Sequence, residues 1–85
     1  MYFVTTKRPG YALFCMTPSE RAAIGVTDDQ QRVHVLERRE GAWTVAHDWP
    51  VEARSHTEMM ARLAQVDEPA DLAELVRLAG GVPGR

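Results

Sequence analysis

Cys15, His34, His47 and His56 are the residues of this chain with the most versatile chemistry. A thiol beside an imidazole can act as a nucleophile, and clustered Cys and His can hold zinc. Neither pattern is spaced for the task. Cys15 follows Leu13 and Phe14 in an apolar run, with no helix start or flanking cation to lower its pKa, so it reads as a buried structural residue. A dyad with His34 or His47 would require the fold to bring them together. Zinc ligands usually come as Cys-x2–4-Cys or His-x3–5-His pairs, whereas His47 and His56 are nine residues apart and straddle Pro50. His56 falls in a first helical turn and reads as solvated. Catalytic, metal-binding and cofactor-binding residues are accordingly all expected to be none.

The charged clusters have simple local explanations. Asp28-Asp29 suits a hairpin turn, where Asp makes local hydrogen bonds. Asp67, Glu68 and Asp71 suit the positive N-terminal end of a helix. Lys7-Arg8 and Arg38-Arg39 fall at turns that are expected to share one end of a meander. With Tyr11 and Trp43 nearby they would make a small platform for phosphate or single-stranded nucleic acid. No glycine-rich phosphate loop is present, because Gly80-Gly81 follows a helix instead of opening one.

The elements that must position these residues divide the chain into a strand-rich first half and a helical last third. Met1–Thr6 is aromatic and β-branched, and Lys7-Arg8-Pro9-Gly10 breaks it as a turn. Tyr11–Met16 follows, with Tyr11, Leu13 and Cys15 on one face and Ala12, Phe14 and Met16 on the other. Both faces are apolar, which predicts a central, covered strand. Thr17-Pro18-Ser19-Glu20 matches a helix-capping box but competes with a turn followed by a strand over Arg21–Thr27. The strand is preferred, because a helix there would be only two turns long and weakly amphipathic.

Arg32–Arg38 and Ala42–Trp49 form a hairpin whose register has consequences for chemistry. A two-residue loop, Glu40-Gly41, sets Arg38 against Trp43 and His34 against His47, a candidate metal pair. It also places Glu in a left-handed conformation. A three-residue loop, Arg39-Glu40-Gly41 with Gly41 as the bulge residue, sets Val35 against Val45, Glu37 against Trp43 and Arg32 against Asp48. The second register is the expected one. It gathers Val33, Val35, Trp43, Val45 and Trp49 on one apolar face and sends His34 and His47 to opposite faces.

Trp49-Pro50 ends the sheet, since proline cannot donate to a ladder. Ser55-His56-Thr57-Glu58 is a capping box, and Met59, Met60, Leu63 and Val66 then form one helical stripe. Asp67-Glu68-Pro69 begins a second helix, on which Leu72, Leu75, Val76 and Ala79 share a face, and Gly80-Gly81 caps it. The expected architecture is an α+β fold, an antiparallel β-meander of four to five strands followed by a C-terminal helical hairpin packed on one sheet face. The whole chain, 1–85, is read as a single domain, with 1–49 the meander, 55–79 the hairpin and 82–85 a mobile tail.

Size and composition bound the function. The 85 residues are 45% hydrophobic and 26% charged with a formal charge of −2, an ordinary globular balance without the basic excess of a dedicated nucleic-acid binder. No basic, apolar and small-residue leader pattern and no run of about 18 apolar residues occurs, and a lone cysteine cannot form an internal disulfide. A cytoplasmic protein with no membrane partner is expected. Tyr2, Phe3, Tyr11, Phe14, Met16, Leu36, Trp43 and Trp49 exceed what two slim helices can cover on one face. The excess either wraps on itself or forms an exposed patch that marks an interface. In size and make-up alone, the chain resembles small accessory proteins of phages and other mobile elements, including anti-CRISPR inhibitors. The expected function is a non-enzymatic interaction protein that occludes a larger protein or nucleoprotein complex, with Arg8, Tyr11, Arg38, Arg39 and Trp43 as contact residues. The alternative is a small nucleic-acid-binding module using the same basic turns and aromatics. A homodimer is compatible with either.

Overall fold

The computed structural model describes residues 3–51, 55–66 and 68–81, without the side chains of Ser55 and His56. Five strands run in chain order as one antiparallel sheet: β1 (Val4–Thr6), β2 (Tyr11–Met16), β3 (Ala22–Thr27), β4 (Arg32–Arg39) and β5 (Ala42–Pro50). Two helices follow, α1 (Ser55–Leu63) and α2 (Leu72–Leu78). This is the expected α+β meander. The segment before β3 is a turn, not a helix: Glu20 N–H donates to Thr17 O and Thr17 N–H to Ala22 O.

Turn chemistry explains the connections. Pro9-Gly10 sits between Arg8 and Tyr11, whose N–H donates to Arg8 O, and Gly10 takes a φ of 91° that suits glycine. Between β3 and β4, Asp29 accepts from the Thr27 hydroxyl at 2.6 Å and the Gln31 amide at 3.0 Å. Those two donors hold its carboxyl below the usual carboxylate range. Asp28-Asp29 thus serves the turn.

The β4–β5 hairpin departs from the expected register. Its loop is two residues, Glu40 and Gly41, at φ of 51° and 81°, the left-handed pair of a type I′ turn, whose twist matches the flanking strands. Arg39 lies opposite Ala42, Arg38 opposite Trp43 and Glu37 opposite Thr44. Strand twist outweighs the strain of one left-handed Glu. One extra residue then enters β5 at Ala46, so that Leu36 faces Val45 while Val35 faces His47. The bulge inverts the facing of everything after it. Val33, Val35 and Trp49 share one face, and Trp43 and Val45 take the other. His34 faces Asp48, not His47, so the two imidazoles still lie on opposite faces.

Both helices cover one side of the sheet. Met59 and Leu63 of α1 and Leu75, Val76 and Ala79 from α2 and its cap share one buried cluster with Phe3, Cys15, Ile24, Val26, Val33 and Val35. Arg62 Nε donates to Leu78 O at 2.7 Å, tying α1 to the end of α2. The second helix starts later than the sequence pattern suggests. Asp71 is its N-cap, accepting from Glu74 N–H at 2.8 Å, and Pro69 precedes the helix. Glu68 is not at the helix end either, because it accepts from Ser19 N–H at 3.0 Å. Gly80 N–H to Arg77 O and Gly81 N–H to Val76 O close the helix in a Schellman motif. The Ser55 capping contact, Asp67 and the tail 82–85 lie outside the described residues.

The strained Glu40 gives a direct check on the hairpin. Glu40→Asn, which tolerates a left-handed φ better, should stabilise the protein by about 0.5–1 kcal/mol, a rise of roughly 3–6 °C in Tm for a domain of this size. A thermal melt followed by circular dichroism measures it, and a lowered Tm would contradict the two-residue loop.

Candidate functional site

The side of the sheet away from the helices is where four of the five expected contact residues meet. Each arrives there for a local reason. Strand alternation alone would put Tyr11 with Leu13 and Cys15 beneath the helices. A register shift between Tyr11 and Leu13 turns its ring to the opposite face, where it stands edge-on to Phe14 with ring centroids 5.3 Å apart. Glycine at position 25 makes room, because a Cβ there would come within 2.6 Å of the Tyr11 ring. Trp43 reaches the same face through the two-residue loop, and its ring meets Phe14 edge-on at 5.4 Å.

These rings roof a second, small core. Phe14, Ala23 and Leu36 are buried there, with half-buried Tyr11, Met16 and Trp43 packed around them. Two guanidinium groups lie over the aromatics, Arg8 at 5.6 Å from the Phe14 centroid and Arg38 at 5.0 Å from that of Trp43. Burying Phe14 contributes roughly 2–3 kcal/mol, whereas a cation–π contact at an exposed site contributes about 0.5–1 kcal/mol. The rings therefore hold the roof, and the arginines can be removed without opening it.

Arg39 does not join the others. It points to the opposite face, 72% exposed, with its Nε 2.6 Å from Glu37 Oε1. The two basic clusters also lie at opposite ends of the sheet. Three strands, β2, β3 and β4, separate their turns, and an odd number of crossings brings the chain out at the far end. Arg8 and Arg38 therefore flank the aromatic patch from its two ends; they do not form one basic edge.

Polar groups line one side of the patch. The Tyr11 hydroxyl lies 2.8 Å from His34 Nδ1, and His34 Nε2 is 3.8 Å from Asp48 Oδ1, too far for a direct hydrogen bond. Asp48 in turn accepts from Arg32 Nε at 2.7 Å. That ion pair runs diagonally across the ladder, because Pro50, not Asp48, lies opposite Arg32. Burial holds the Tyr11 hydroxyl above the ordinary tyrosine range, with Arg8 pulling it partly back and Asp48 adding to the rise. A phenol that keeps its proton is a poor nucleophile, and its contact with His34 Nδ1 is a hydrogen bond between side chains. The arrangement fixes the ring of Tyr11 in place; it does not activate its oxygen.

Cys15 is fully buried on the helix side, and its Sγ lies 3.7 Å from Thr5 Oγ1. Burial pushes its thiol up, against a smaller lowering by the Thr5 hydroxyl. Cys15, Ile24, Val35 and His47 occupy one row across the sheet. Three strand steps of about 4.8 Å each therefore separate Cys15 from His47, and His34 is on the other face. Neither dyad can form. Among the described residues no three His, Cys, Asp or Glu side chains converge as metal ligands, and no helix is long and apolar enough to cross a membrane. An open cavity of about 460 Å³ lies near the β2–β3 turn and the start of α2, lined by Thr17, Arg21, Glu37 and Leu72 among others.

Sequence reasoning missed Gly25, His34 and Asp48 as members of this surface. A glycine inside a strand is itself a signal of close approach; the pairing of His34 with Tyr11 left none. The chain matches no protein-family model, no curated protein and no solved structure.

Gly25→Ala should force the Tyr11 ring away, break its bond to His34 and uncover Phe14, at a cost of about 1–3 kcal/mol. The checks are the Tm and the His34 ring resonances in NMR spectra. Cys15 should react with a disulfide reagent only as fast as the protein opens. A fast reaction in the native state would show it to be accessible.

Proposed function

We propose that this protein is a small non-enzymatic interaction module that docks through the helix-free face of its sheet and occludes a surface on a larger macromolecular complex. The reading is carried by one observation. Phe14 and Leu36 are buried on a sheet face that, among the described residues, no helix covers, beneath the half-buried rings of Tyr11 and Trp43, with Arg8 over Phe14 and Arg38 over Trp43. Tyr, Trp and Arg are the side chains that most often dominate binding energies. Here two of the rings are pre-positioned by edge-to-face packing, and Tyr11 also by its bond to His34, which lowers the entropy lost on binding.

Arg8 and Arg38 would meet acidic or carbonyl groups at the rim of the partner surface. Arg38 lies 3.7 Å from Glu20 and keeps 39% of its side chain exposed, so that pair contributes little and can be exchanged for a partner carboxylate. Inhibition of a host or viral assembly by an accessory protein of anti-CRISPR type is one form such occlusion takes.

The test is affinity capture from a lysate of the source cells, with and without nuclease, followed by a comparison of variants. Arg38→Ala with Trp43→Ala should lose the captured protein, and Arg39→Ala should keep it. Arg8→Ala with Arg38→Ala should weaken capture while leaving the circular dichroism spectrum unchanged, at a cost of about 1–2 kcal/mol for the two cation–π contacts, roughly 6–12 °C in Tm. Equal capture by all variants would place the contact elsewhere on the molecule. Capture that nuclease abolishes, and that falls steeply with salt, would point to nucleic acid instead.

A further inference from the structure

The two edges of the sheet are unequal. β1 is three residues long, whereas β5 has nine, and among the described residues its outer side has no hydrogen-bonded neighbour. Proteins blunt free edges with short strands, charges, proline and bulges. In β5 the bulge at Ala46 and the proline at position 50 protect only the far half. The near half, Ala42-Trp43-Thr44-Val45-Ala46, carries no charge and is exposed apart from half-buried Trp43. Val45 keeps 45% of its surface exposed. Around a two-residue loop the Ala42 N–H points inward to the Arg39 carbonyl. Alternation then turns the backbone groups of Trp43 and Val45 out to the free edge.

We propose that the segment from Ala42 to Ala46 pairs antiparallel with the same segment of a second copy, about a two-fold axis at Thr44. The segment is self-complementary in that register. Trp43 lies opposite the second copy's Val45, and Val45 opposite its Trp43, both on the helix-free side. Thr44 lies opposite Thr44, and Ala42 opposite Ala46. Aromatic with β-branched and Thr with Thr are both favourable cross-strand pairs, and an uncharged segment does not repel its copy. A shift of the axis by one residue, to Val45, sets Thr44 against the second copy's Ala46 and Trp43 against its His47, beyond the bulge, and loses all three pairs. The paired stretch also ends at the bulge, beyond which the edge no longer alternates regularly. Closed two-fold symmetry requires only this one patch, and the result is a continuous sheet of two five-stranded halves.

The proposal is independent of the proposed function, and its test needs no other protein. In analytical ultracentrifugation the mass should climb with concentration from 9.5 kDa towards twice that value. Thr44→Cys should form a disulfide-linked dimer under mild oxidation, because opposed positions of this kind bring Cβ atoms to about 4.5–5.5 Å. Ala46→Cys should not link to itself, but should link to Ala42→Cys when the two are mixed. Val45→Lys should hold the mass at 9.5 kDa with an unchanged circular dichroism spectrum. A wild-type mass that stays at 9.5 kDa at every concentration overturns the proposal. So does an Ala46→Cys variant that links to itself as readily as Thr44→Cys.

Discussion

Two short helices cannot cover both faces of a five-stranded sheet, and this shortage of covering material governs the rest of the molecule. α1 and α2 supply Met59, Leu63, Leu75, Val76 and Ala79 to one side, where they bury Cys15, Ile24, Val26, Val33 and Val35. Among the described residues no helix lies on the other side, yet Phe14 and Leu36 there are 1% and 2% exposed. Their cover comes from within the sheet, from rings laid over their neighbours. That solution depends on Gly25, the one position of the central strand where a ring can lie against backbone.

A cover made of side chains has a different character from one made of helices. It keeps Tyr11 and Trp43 at the surface as a condition of hiding Phe14, with Arg8 and Arg38 laid over the rings. The same half-buried rings that complete the small core therefore also form part of the surface. Stability at this face rests on the aromatic packing, and much less on the arginines, whose contacts are individually weak, so on the proposed reading the groups that would bind a partner are also those that hold the small core. On the helix side the opposite holds. Cys15 and the valines are sealed away, and the chemistry that a lone cysteine suggests is suppressed by burial.

Irregularities in the ladder determine which side chains belong to which face. The register shift after Tyr11 and the bulge at Ala46 each act as a parity switch. The first brings Tyr11 over to Phe14. The second lets Trp43 roof the small core while Trp49, later on the same strand, packs beside Val76 and Gly81 on the helix side. A regular β5 would have put both tryptophans on one face and left the other with too little apolar cover. The bulge also limits the free edge to the stretch before it, so one irregularity shapes the core, the exposed face and the edge.

The sequence by itself determined the order of the elements and their type, except over Thr17–Thr27, where a helix competed with a turn and strand until the turn bonds of Thr17 and Glu20 decided it. Pro9-Gly10, Thr17-Pro18, Asp28-Asp29 and Gly80-Gly81 punctuate the chain through local backbone preferences, and the periods of the apolar residues between them distinguish strands from helices. It also marked Arg8, Tyr11, Arg38, Arg39 and Trp43 as candidate contact residues. Only the tertiary structure decided that four of them meet on one face, that Arg39 turns away to Glu37 and that His34 lies against Tyr11. The reason is parity. Side-chain direction in a strand reverses at every residue, so a single inserted residue redirects everything beyond it. Whether a bulge forms is settled by the packing of both faces together, an energy that no local window of sequence contains.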